Sequence, residues 1–110
     1  MKEINAYIRP AIAHGVIEAL KKEGATNISI AHVKGLGLLE DPASEQYDAE
    51  FIEQSSVVLK LEIICAASEA PRYLQVIQQN AHTGKAGDGV VFVTNVEKAI
   101  KIRTGEEGVR

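Results

Sequence analysis

Thr83-Gly-Lys-Ala-Gly-Asp-Gly-Val-Val-Phe-Val93 joins three glycines within six residues to a Val-Val-Phe-Val run. The glycines free the backbone to take positive φ and to approach a ligand closely. The β-branched run behind them reads as a buried strand that anchors the turn. Flexible amides beside Lys85 suit a phosphate, although Gly-Asp-Gly ahead of a strand is also the composition of an ordinary turn. In Lys98-Ala-Ile-Lys-Ile-Arg-Thr-Gly105 the apolar Ile100 and Ile102 alternate with Lys101 and Arg103. That alternation predicts an extension of the strand through Ile102 with both cations on one face. Two fixed cations beside a glycine turn make an anion site, and a solvated edge strand defended by charge has the same pattern.

Working outward, Glu3–Arg9 alternates, with Ile4, Ala6 and Ile8 on one side, and predicts a strand that Pro10 ends. From about Ile12 to Glu23 the apolar Ile12, Val16, Ala19 and Leu20 recur at three and four, and Gly24 follows as a stop. This is an amphipathic helix. Thr26–Val33 predicts a second strand, broken by Gly35-Leu-Gly37. Leu38–Ser56 then keeps neither period, which points to a functional loop or disorder. Val57–Ala66 predicts the third strand. Ser68 is placed to cap a second helix with Pro71 in its first turn and Leu74, Ile77 and Ala81 on its inner stripe, ending near His82. The order is βαββαβ: an α+β, ferredoxin-like sandwich whose four-stranded antiparallel sheet carries two helices on one face. The whole of 1–110 is expected to be one domain, with a long loop, about 36–56, between strands 2 and 3. Because Val58, Leu59, Leu61, Ile63 and Ile64 put apolar groups on both faces of the sheet, the uncovered face calls for a second layer, and another copy of the chain is expected to supply it.

Composition narrows the classes. With 110 residues, 45% apolar and 25% charged, the chain fits one soluble domain. No apolar run approaches the roughly 20 residues that cross a bilayer, and Met-Lys-Glu-Ile-Asn lacks the apolar core of a signal peptide, so the cytoplasm is the expected location. A net charge of −3 argues against general nucleic-acid binding. Cys65, the single cysteine, sits in an apolar run and reads as a buried thiol. Between Lys34 and Lys60 there is no cation, while Glu40, Asp41, Glu45, Asp48, Glu50 and Glu53 all fall there. Such an acidic segment gains little by folding alone.

Taken together, Lys2–Pro10, Glu18-Ala-Leu20 with Gly24, Val33-Lys-Gly-Leu-Gly37, Lys60-Leu-Glu-Ile63, the Thr83–Gly89 block, Phe92-Val93 and Ile102-Arg-Thr-Gly-Glu-Glu107 resemble the P-II family of signal-transduction proteins. The resemblance runs end to end. It implies a homotrimer with the sheets facing inward, an adenine nucleotide in each cleft between subunits, and a mobile loop that touches a transporter, enzyme or regulator in control of nitrogen or carbon utilisation. Carried over position by position, Ser29, Gly35, Gly37 and Ile64 would meet the base and ribose, with Leu36 at the base of the loop beside them. Gly87, Asp88 and Gly89 would turn around the nucleotide, and Lys101 and Arg103 would reach its phosphates. Lys101 stands where the family usually has Arg, which keeps the charge and gives up the bidentate fork.

Departures from the family pattern narrow the ligand. Members that sense 2-oxoglutarate hold ATP and magnesium through an Arg-Gln pair after the Gly-x-Gly, where this chain has Leu38-Leu39. They carry lysines where it has Val58 and Val90. Leucine neither ligates a metal nor pairs with phosphate. Losing several charge-assisted contacts, each worth on the order of 1.5–3 kcal/mol, penalises ATP most, so ADP or AMP is expected ahead of ATP and magnesium is not expected. The tyrosine position usually modified in the loop holds Phe51, and Tyr47 lies off it. The expected mechanism is a switch without chemistry, in which nucleotide orders or releases the loop. Its rivals are a slow nucleotide hydrolase, a sensor that also holds bicarbonate, and a metal module built on His14, His32, His82 and the acidic loop, whose spacings match no metal signature.

Overall fold

A computed structural model describes residues 1–34 and 57–109. The expected loop at about 36–56, and with it Gly35, Leu36, Gly37, Leu38, Leu39, Tyr47 and Phe51, lies outside the described residues. In chain order the elements are β1 (Lys2–Ile8), a 3-10 turn (Pro10–Ile12), α1 (Ala13–Lys22), β2 (Ile28–Lys34), β3 (Val57–Cys65), α2 (Ala70–Ala81) and β4 (Gly89–Asn95). The strands form one antiparallel sheet in the order β2-β3-β1-β4, the ferredoxin-like arrangement expected from the sequence.

The register explains which side chains are buried. Ile4 lies opposite Ile63 and Val93, Ala6 opposite Leu61 and Val91, and Ile8 opposite Leu59 and Gly89. Side chains alternate along a strand, so these rows share one face. Val16 and Leu20 of α1 and Tyr73 and Ile77 of α2 close over it. Burying an aliphatic side chain of this size contributes about 1.5–3 kcal/mol, so this one layer dominates the stability of the fold. Helix α1 ends where Ala25 N donates to Leu20 O at 2.9 Å and Gly24 N to Lys21 O at 3.0 Å, with Gly24 at φ +91°. This pair of bonds satisfies the last carbonyls and needs a residue free of a Cβ penalty.

Helix α2 departs from its expected start. Its N-cap is Glu69 rather than Ser68, and the Glu69 carboxylate accepts from the Ala66 amide at 3.1 Å and from the Tyr73 hydroxyl at 3.0 Å. Those two bonds allow Tyr73 to sit wholly inside the core while its hydroxyl keeps a partner. The inner stripe is therefore Ala70, Tyr73, Ile77 and Ala81, with Leu74 at its margin.

The other face of the sheet is mixed. Tyr7 and Phe92 stack with ring centroids 6.2 Å apart. Lys60 Nζ lies 5.9 Å from the centre of the Tyr7 ring and 2.7 Å from Glu62 Oε1. That bond to Glu62 is the main cause holding the Lys60 ammonium above its usual range. Phe92 and Val90 on the same face remain 40% and 41% exposed.

The last strand is shorter than the alternation of Ile100 and Ile102 predicts. Asn95 pairs with Lys2, the first residue of β1, and Val96 N makes the next bond, to Met1 O at 3.1 Å. Beyond that point the β1–β4 ladder ends and the chain closes on itself. Lys101 N donates to Glu106 O at 2.9 Å, Gly105 N to Lys101 O at 2.8 Å and Gly108 N to Ala99 O at 2.9 Å, and Ile100 bridges Glu107. Gly105, at φ +75°, makes the bend. Lys101 and Arg103 thus belong to a closed turn, not to one face of a strand, and Ile102 between them is fully exposed.

Candidate functional site

The glycine turn, residues 83–89, is organised by a carboxylate. Asp88 accepts from Thr83 N at 2.8 Å, Gly84 N at 3.0 Å and the Thr83 hydroxyl. Three donors and the Arg9 guanidinium, whose Nε lies 3.5 Å from Oδ1, favour its charged form. The Thr83 hydroxyl contributes most, and together they lower the Asp88 carboxyl to about 2. His82 Nδ1 sits 3.8 Å from the second oxygen. The backbone follows: Gly84, Gly87 and Gly89 all have positive φ, at 84°, 91° and 106°.

Arg9 ties this turn to the sheet. Its Nη2 donates to Ala86 O at 2.6 Å from the residue just after β1. The Nε is buried and makes no hydrogen bond, so its contact with Asp88 is an ion pair only. The Asp88 carboxylate faces into the turn and shapes it. The amides of Thr83 and Gly84 are spent on that carboxylate. A cavity of about 190 Å³ lies behind the turn, floored by Ile8, Ile77, Ala81 and Val91 and rimmed by His82 and Asp88.

A second, larger concavity, about 380 Å³, opens at the far side of the molecule. Ser29 of β2 and Glu62 and Ile64 of β3 form one wall, and Ile100, Lys101 and Ile102 another, with Asn27, Gly108 and Val109 closing the end. Ser29 and Glu62 are direct register partners. The structure therefore gathers three of the sequence-derived residues here, Ser29, Ile64 and Lys101. Arg103 lies exposed on the same turn.

The glycine turn and this pocket do not meet within one chain. Gly89 opens β4 and Ser29 lies on β2, the two edges of the sheet, three strand spacings apart, or roughly 14 Å before any offset along the strands. The expectation of two cations beside the glycine turn fails within a single copy, because β4 ends early and the C-terminal segment crosses to the β2 side, where Asn27 Nδ2 donates to Val109 O at 3.2 Å. Arg9, Glu62 and Asn27 were not singled out in the sequence. Only the parity of Glu62, two residues from Ile64 and on the same strand face, offered a signal.

His14 lies on α1, His32 on β2 and His82 at the end of α2. Among the described residues no three His, Cys, Asp or Glu side chains come together as metal ligands would. Among the same residues no helix is long and apolar enough to cross a membrane.

Comparison with known proteins gives this arrangement a lineage. A family model described as Nitrogen regulatory protein P-II matches residues 1–106. The chain is 39% identical over 108 residues to a nitrogen regulatory protein P-II of Azospirillum brasilense, covering 98% of this chain and 96% of that one. It is 37% identical over 109 residues to the protein of the same name from Rhizobium meliloti, covering 99% and 97% of the two chains. A Pasteurella multocida counterpart is 36% identical over 107 residues, 97% of this chain and 96% of its own. Matches that span both partners almost completely, on a sheet of the expected order, establish that this chain belongs to the P-II family of nitrogen regulatory proteins.

Proposed function

We propose that this P-II family member is a regulator that binds an adenine nucleotide between two copies of itself, the glycine turn of one copy facing the Lys101 pocket of the next. The observation that carries the reading is the separation of the two half-sites onto opposite edges of one sheet. A half-site with glycine backbone and a half-site with a cation and a polar groove are each incomplete alone, and edge-to-edge assembly around a ring would join them. A homotrimer fits, with the Tyr7, Val90 and Phe92 face turned inward. The partly exposed aromatic and aliphatic groups there favour such a cover.

ADP or AMP is the preferred ligand in this reading, with ATP possible and magnesium not required. Val90, next to the turn, offers no charge to a terminal phosphate, and Leu38-Leu39 offers none either. The nucleotide sets the state of the segment 36–56, which engages an unidentified protein, a transporter or an enzyme, in the cytoplasm. The protein acts as a switch rather than a catalyst, and the whole chain works as one domain.

Calorimetric titration with AMP, ADP, cyclic AMP and ATP, each with and without magnesium and 2-oxoglutarate, tests this directly. Micromolar binding of ADP or AMP that ignores magnesium and 2-oxoglutarate is expected. Tight binding only of Mg-ATP with 2-oxoglutarate would overturn the ligand preference, and no binding of any adenylate at millimolar supply would overturn the function.

A further inference from the structure

Asn27 is the one residue other than glycine with positive φ among those described, at 56°. Asparagine tolerates the left-handed region better than most residues, yet the conformation is uncommon and needs surroundings that hold it. Here it directs the side-chain amide at a carbonyl 82 positions away in the chain, Val109 O, at 3.2 Å. Among the described residues, the backbone bonds of the segment before Val109 are internal to it. Its backbone bonds run from Lys101 to Glu106, Gly105 to Lys101 and Gly108 to Ala99, and its ion pair, Lys98 to Glu107 at 3.5 Å, is internal too. Backbone bonds of this kind hold the turn's own shape, and a bond to the sheet adds to its place against it. Asn27, the residue just before β2, ties the turn to the sheet, and Asn27 and Val109 both line the pocket that Lys101 enters.

We infer that Asn27 is a positioning residue: through Val109 it fixes the C-terminal turn as a wall of the pocket and so sets how well Lys101 meets a nucleotide phosphate. The affinity consequence rests on the nucleotide reading above; the tie itself does not. Pre-positioning a cation lowers the ordering cost of binding, so releasing the wall weakens the ligand without removing any group that touches it.

Two substitutions separate the tie from the backbone conformation. Asn27→Gly keeps positive φ accessible and deletes the donor, whereas Asn27→Asp keeps the size and replaces the donor with an acceptor that faces a carbonyl. Hydrogen exchange at the Lys101, Gly105 and Gly108 amides of the nucleotide-free protein reports the wall, and titration with ADP reports its consequence. Both variants should exchange faster at those amides, keep the assembly mass and melting temperature of the parent, and bind ADP about two- to tenfold more weakly, the loss expected for one hydrogen bond. Parental exchange rates in both variants would overturn the tie. Faster exchange with ADP affinity within twofold of the parent would overturn its influence on the pocket. Should the parent itself take up no adenine nucleotide, ADP or AMP, the nucleotide reading falls, and the exchange rates alone still decide the tie.

Discussion

The two turns that flank the candidate site are built on opposite plans. The glycine turn is knotted by a side chain: one carboxylate, Asp88, gathers two amides and a hydroxyl, and Arg9 fastens the result to β1. The C-terminal turn is knotted by backbone bonds among Ala99, Lys101, Gly105, Glu106 and Gly108, which leaves Ile102 and Arg103 exposed. The difference teaches where substitutions act. In the first turn a charged group is consumed in making the shape, so changing it alters the shape. In the second the exposed Arg103 makes none of the bonds that close the turn and can be changed at little structural cost.

Asp88→Ala tests this contrast most severely. It removes the acceptor of three hydrogen bonds and leaves Arg9 without its anion, so ADP affinity should fall about a hundredfold with loss of the slowed exchange at Thr83 and Gly84. Preserved exchange there would show that the glycines hold the turn unaided. Arg103→Ala should cost about tenfold in affinity for every phosphate-bearing ligand while the melting temperature stays put, since an exposed side chain leaves no hole. A drop in melting temperature would mean that the second turn also depends on its cations. Gly105→Ala, at φ +75° but with open space around an added methyl, should lower stability by about 1 kcal/mol in a denaturant titration, a purely backbone penalty. The smallest effect is that of pH. A carboxyl lowered to about 2 in the folded chain stabilises the turn fully above its ordinary range near 4, and that contribution fades as pH falls through 2. The Thr83 and Gly84 amide resonances should therefore hold steady down to about pH 3; a midpoint near 4 would mean that the Asp88 network does not persist in solution.

The same contrast accounts for what could be read from the sequence. Period-two alternation located β1 within a residue, the β-branched run located β3, and the helical stripe of Val16 and Leu20 located α1, because each of those patterns faces a core formed by its neighbours. The glycine turn was legible as a turn. Its tie to β1 was not, since Arg9 and Ala86 meet across 77 positions and nothing local marks the pair. Alternation misled at Ile100 and Ile102: the pattern of a strand is there, but a strand needs a partner, and the ladder with β1 stops at Asn95, opposite Lys2. Ser68 had the chemistry of a cap, yet Glu69 could also reach Tyr73 and so took the position. That Lys101 lies far from the glycine turn followed from the strand order, which no single stretch of sequence contains.

The central claim, that one site is assembled from the turn of one copy and the pocket of another, can be tested by complementation. Chains carrying Asp88→Ala and chains carrying Arg103→Ala are each deficient; unfolded, mixed and reassembled together, they place an intact turn opposite an intact cation in one cleft of each mixed trimer. Calorimetry on the mixture should then recover up to one parental-affinity ADP site per mixed trimer. If the mixture binds no better than the two deficient proteins measured apart, the site lies within a single chain and the account is wrong.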